Sequence, residues 1–209
     1  MRKLTHLSNW HEPFPSMSIT EMQWIQSGGG PLIVIPVEIA QLWRGDGGLG
    51  LPDGDLSMVW ETVRDHTDYG RACSVDDYLG MLEVGPGRCL VLGDEPMATT
   101  FFPTADGGIF VRWIHAENEE DVVRAVRSVP ESLWERFPDT FEVGIGGLLL
   151  LDSACQGDEL CPPSADGIFS WMKLPVPKGT YQVDTADYQP DERTHLILHR
   201  LKQIRSRST

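Results

Sequence analysis

The chain has 209 residues, 41% of them hydrophobic, enough to bury a substantial core in one large domain or two small ones. Its formal net charge of −14 at pH 7 sets up a field that repels nucleic acid and anionic lipid, so neither is an expected partner, and a basic partner or none is left. The most apolar run, Leu148 to Leu151, is far shorter than the roughly 20 residues a membrane-spanning helix needs, and Met1 to Met17 holds no apolar secretory stretch, so a cytoplasmic protein is expected.

Residues 1–18 read as a polar, poorly ordered leader. Trp24 and Ile25 then precede the turn Ser27 to Gly30, where glycine is expected to let backbone pack closely around Trp24 or to take positive φ. Pro31 to Ile35 is a fully apolar, β-branched run and reads as a buried strand. Pro36 suits the first turn of a helix, and Val37, Ala40 and Trp43 fall near one helical face before Gly45. Gly45 to Gly54 is a surface loop, being mostly Gly, Asp and Pro.

Met81 to Val84 and Arg88 to Leu92 flank Gly85-Pro86-Gly87 and predict a hairpin. Ile109 to His115 follows Asp106-Gly107-Gly108 and predicts another strand. Asn118 is a good N-cap, with acids in the first turn and Val122, Val123, Val126 and Val129 spaced along a helix that Pro130 ends. Trp134 and Phe137 predict a second, shorter helical turn stopped by Pro138.

The order then repeats. Gly146-Gly147 before Leu148 to Leu151 echoes Gly29-Gly30 before Leu32 to Ile35. Leu174 to Val183 about Pro177-Lys178-Gly179 echoes the first hairpin, and Leu196 to Leu201 echoes Ile109 to His115. The expected fold is therefore α+β, mainly antiparallel β-sheet in two similar halves, residues 19–117 and 139–204, with one or two linking helices over 118–138 and a basic tail at 205–209.

Chemistry is hard to place on this pattern. Ser27 to Gly30 lacks the residues of a phosphate loop, and neither a GxSxG nor a Cys-His signature is present. Ser153 reads as part of a strand-terminating turn. Cys73, Cys89, Cys155 and Cys161 contain no CxxC, so reduced thiols are expected, with no metal and no cofactor. His195 and His199 sit in an apolar segment whose strand period would place both on one face at a wider interval than a helix would, so a surface or interface role is expected in preference to a metal site.

Carboxylates mingle with aromatics in the first half, a mixture suited to a protein interface, where aromatics give contact area and dispersed negative charge speeds encounter with a basic partner. Candidate partner contacts are Trp43, Trp60, Asp68, Asp76, Asp77, Asp94 and Glu95. Asp94 and Glu95 lie just beyond a strand and could alternatively act as an acid–base pair or hold a cation. A metal-dependent hydrolase using His115, His195 and His199, and a small-molecule regulatory module with its pocket between the halves, are the competing readings.

Several of these segments, in this order, resemble the Immunity protein 21 family of bacterial polymorphic toxin systems. They are the Trp24 segment leading to Gly29-Gly30-Pro31-Leu32, then Asp68-Tyr69 with Arg71-Ala72-Cys73, then Leu90-Val91-Leu92-Gly93-Asp94-Glu95-Pro96, and Arg112-Trp113. The resemblance implies an inhibitor that binds a cognate protein toxin encoded beside it, and no enzyme. It carries over no catalytic residue, and its Gly, Trp and Cys positions can serve folding alone.

Overall fold

The computed structural model describes residues 22–47, 66–93, 95–158, 160 and 170–204. The leader, most of the Gly45 to Gly54 loop and the basic tail lie outside them.

Among the described residues ten strands form two five-stranded antiparallel sheets. The first runs β2(Gly80–Val84), β3(Gly87–Leu92), β1(Leu32–Pro36), β7(Leu148–Asp152), β8(Trp171–Leu174). The second runs β4(Ala98–Thr104), β5(Gly107–His115), β10(Thr194–Gln203), β9(Gly179–Asp191), β6(Glu135–Val143). Both sheets draw strands from residues 19–117 and from 139–204. Two of the three echoing pairs of segments are hydrogen-bonded neighbours at the sheet centres, with Val34 opposite Leu150 and Val111 opposite Leu198.

The layering follows from the side-chain period of two. Leu32, Val34, Leu90, Leu92, Leu148 and Leu150 face the second sheet and meet Phe101, Phe110, Phe141, Val143, Tyr181 and Val183. Ile33, Ile35, Val91, Leu149 and Leu151 face the other way, under a layer containing α1(Val37–Ala40), Trp43 and α2(Asp68–Cys73). Strands covered on both faces cannot alternate with polar residues, which is why β1 and β7 read as unbroken apolar runs. Arg88 donates from Nη2 to the Thr140 carbonyl at 2.8 Å and ties β3 to β6 across the sandwich.

On the far side of the second sheet lies α3(Glu119–Ser128), whose N-cap Asn118 accepts from the Asp121 N–H at 3.0 Å. Val122, Ala125 and Val126 bury against Val111, Ala186, Leu196 and Leu198. Full burial of a valine contributes on the order of 1.5–3 kcal/mol against about 1 kcal/mol for a cap, so packing seats this helix and the cap only sets where it starts. The result is an α/β/β/α arrangement, of the α+β class.

Two expectations are corrected. Trp134 and Phe137 do not continue as a helix. After a short 3-10 turn over Glu131–Leu133, residues 135–143 are β6, and Phe141 and Val143 alternate into the core. Pro138 is tolerated because β6 is an edge strand and its register with β9 shifts between Arg136 and Thr140. Leu174 to Val183 is not a second hairpin, because β8 and β9 belong to different sheets. The segment with Pro175 and Pro177 carries the chain between layers.

Candidate functional site

At the end of the first sheet where β3 finishes, two loops are drawn together. The chain leaves α2 through Ser74 and Val75, whose N–H groups donate to Gly70 and Ala72, and then exposes Asp76 and Asp77. The second loop leaves β3 at Gly93, whose N–H donates to the Tyr78 carbonyl at 3.2 Å. A Cβ on Gly93 would lie 2.3 Å from the Asp77 carbonyl oxygen, so only glycine lets the loops touch.

What holds them is Arg112, which enters from β5 in the other sheet with 1% of its surface exposed. Its Nη1 donates to the Tyr78 carbonyl at 3.0 Å, and its Nη2 donates to those of Gly93 at 2.6 Å and Glu95 at 2.7 Å. The guanidinium also lies 5.9 Å from the centre of the Tyr78 ring. Burying a cation is costly, and charge-assisted bonds to carbonyls offset that cost. The outcome is an acidic corner, with Asp76, Asp77 and Glu95 exposed on loops whose backbones are clamped from beneath. In the sequence Arg112 is one motif residue among others. The usable signal is a charged side chain at an inward position, two after Phe110, in an otherwise apolar strand.

The remaining candidates fall elsewhere. Asp68 starts α2 and accepts from the Arg44 N–H and from Arg71 Nη1, both at 2.8 Å, so its carboxylate serves intramolecular ties. Arg71 reaches on to the Glu83 carbonyl at 2.7 Å and occupies the outer edge of β2. Trp43 belongs to the core and not to the surface. It is 0% exposed, because its indole fills the layer under the first sheet and donates to the Ser153 carbonyl at 2.9 Å. Trp60 and Asp94 lie outside the described residues.

The motif glycines and aromatics turn out to pack on one another. Gly30 sits against Tyr69 and not Trp24: a Cβ there would lie 2.4 Å from the phenol ring. Burial pushes the Tyr69 hydroxyl up to about 12. Trp24 instead packs edge-on to Trp113 at 5.0 Å and donates to Glu119 at 2.8 Å. Asp152, at the end of β7, accepts from the N–H groups of Gly28 at 2.8 Å and Ala154 at 3.0 Å. Cys73 and Cys89 carry free thiols. Burial raises those of Cys73 and Cys89, the latter to about 12, so at neutral pH they are protonated and weak nucleophiles.

Among the described residues, His115, His195 and His199 do not assemble a centre. His195 bonds Asp187 at 2.6 Å and stacks edge-on to His115 at 5.7 Å. His199 is buried between the sheets against Thr185 Oγ1 at 3.0 Å. Among the described residues no group of three or more His, Cys, Asp or Glu could hold a metal ion. No described helix is long and apolar enough to cross a membrane. A shallow cleft of about 410 Å³ lies over the second sheet beside Trp134 and Arg200. Arg200 is already engaged there, with bidentate bonds to Glu131, a bond to Asp184 at 2.8 Å and the Trp134 ring at 4.4 Å.

A family model described as Immunity protein 21 matches residues 23–194. Comparison with curated proteins and with solved structures finds no match.

Proposed function

Because the chain belongs to the Immunity protein 21 family, it is an immunity protein directed against a toxin, and we propose that it acts by covering the toxin's working surface with its acidic corner. The observation that carries this reading is the Arg112 clamp, which fixes the loops bearing Asp76, Asp77 and Glu95 before any partner arrives. A preorganised loop pays little ordering entropy on binding, and its carboxylates steer a basic surface into place. The toxin is accordingly proposed to be basic, to be met in the cytoplasm, and to be blocked sterically, with no bond made or broken by this chain. Of the motif residues that carry the resemblance, Gly93 and Arg112 hold the corner's loops from beneath and Glu95 stands on the corner itself.

The test is titration of the adjacent gene's product with the purified chain across salt concentrations. Wild type should bind with an association rate that falls as salt rises. The triple variant Asp76→Lys/Asp77→Lys/Glu95→Lys should associate at least about tenfold more slowly at low salt and lose most of that dependence. An unchanged rate and salt slope would remove the corner from the interface.

A further inference from the structure

At the opposite end of the first sheet, beyond the start of β3, a turn displays an apolar side chain to solvent. Ile145 is 85% exposed, whereas the other exposed large apolar side chains among the described residues lie between 36% and 45%. Isolated surface leucines and isoleucines are ordinary, so exposure alone decides nothing. The construction of the turn is what separates this one.

The turn, residues 144–147 between β6 and β7, closes with the Gly147 N–H donating to Gly144 O at 3.4 Å. Glu38 Oε1, from α1, accepts the Gly146 N–H at 2.7 Å, and the Gly147 carbonyl accepts the Val37 N–H at 3.1 Å. Gly147 has φ of +77°, and a Cβ there would lie 2.4 Å from the Leu174 carbonyl oxygen. One on Gly146 would lie 2.8 Å from Val37 Cβ. Two glycines and a carboxylate thus lock the backbone down onto α1, and the side chain of Ile145, between Gly144 and Gly146, points out.

We propose that Ile145 is an apolar anchor that inserts into a pocket of the toxin, making this end of the sheet a second contact surface distinct from the acidic corner. The register places Pro36 opposite Leu148, and Leu32 opposite Leu92, so the two surfaces lie at opposite ends of the same strands, roughly 20 Å apart. Beside the turn Glu38 and Lys178 are exposed and charged, so Ile145 stands as a single apolar side chain at a polar end of the sheet. A second copy of the chain is disfavoured as occupant, because it would bring another −14 of like charge, while a basic protein is drawn by that same field. An anchor on a locked turn gives affinity without ordering cost, as binding hot spots do.

The inference rests on the toxin-binding reading but not on the acidic corner. Its test is equilibrium binding of the adjacent gene's product to wild type, Ile145→Ala and Ile145→Asp, with melting curves and light scattering on each protein alone. Both variants should melt like wild type, since the side chain is in solvent. Ile145→Ala should weaken binding about thirtyfold and Ile145→Asp more, chiefly through faster dissociation. Wild-type affinity in Ile145→Ala would overturn the anchor while leaving toxin binding intact. Failure of wild type itself to bind would overturn the toxin-binding reading and this inference with it. A wild-type dimer that Ile145→Asp converts to monomer would assign the anchor to a second copy and overturn the proposal.

Discussion

The two ends of the first sheet use the same device under opposite dielectric conditions. At one end a cation, Arg112, satisfies the carbonyls of Tyr78, Gly93 and Glu95. At the other an anion, Glu38, satisfies the Gly146 N–H of a glycine turn. Arg112 is buried between the sheets, whereas Glu38 is open to water. Water competes for the bond Glu38 makes to Gly146 and far less for those of Arg112, whose bond to Gly93 is fully buried. The first should therefore be structural in the full sense, its loss felt throughout the fold, and the second a local adjustment that shapes one turn.

The largest effect should come from Arg112→Met. It strands the buried Gly93 carbonyl and two part-buried ones and leaves the space of a buried guanidinium to be refilled, so a loss of about 3–5 kcal/mol is expected in urea unfolding, with faster amide exchange at Gly93. A loss below about 1 kcal/mol would break the comparison, since it would mean that water reaches this corner as freely as the other.

His199, buried beside Arg112, sharpens the same point. Desolvation first, and then the positive charge of Arg112, hold its imidazole well below the usual range, and its Nε2 has no hydrogen-bond partner among the described residues. A histidine with a depressed folded-state pKa is protonated more readily in the unfolded chain. Its contribution is fully present above about pH 6.5 and is lost as pH falls below that, by at most about 1.4 kcal/mol per pH unit. Urea midpoints should thus decline from pH 6.5 towards 5 in wild type, and the decline should flatten in His199→Met. An identical acid limb in both proteins would show that this histidine does not carry it.

The smallest effect belongs to Glu38→Gln. The Gly146 N–H is the main cause holding the Glu38 carboxyl below its ordinary value, so its stabilising part is present above about pH 4.5 and is lost as pH falls through the lowered value. For a group this open to solvent the difference at pH 7 should not exceed about 1 kcal/mol, and it should shrink as pH falls through the lowered value. The amide oxygen can still accept one N–H, which limits the loss further. A drop comparable to that of Arg112→Met would show that the turn supports the sheet instead of merely presenting Ile145.

How far these features were legible in the sequence depends on how local their causes are. β1, β3 and β7 announce themselves because strands buried on both faces must be apolar throughout. α3 is legible because its cap, its acidic first turn and its apolar spacing all lie within a dozen residues. The stretch from Trp134 to Phe137 misleads because two aromatics three apart fit one helical face, and because Pro138 looks like a stop until the strand is known to be an edge. The exposed carboxylates Asp76, Asp77 and Glu95 could be nominated from composition alone. Their meeting could not, for it depends on an arginine from the opposite sheet.

Chain order, apolar periodicity and charge thus determined by themselves the α+β class, most of the strands, the main helix and the acidic character of the molecule, since each arises from residues close together or from a simple sum. Which strands share a sheet, that Trp43 and Asp68 are engaged within the fold, and that Ile145 is held out in water were decided by tertiary structure. Those outcomes depend on hydrogen bonds and steric limits between segments up to more than a hundred residues apart, such as Gly146 with Glu38, and no local pattern encodes a partner at that distance.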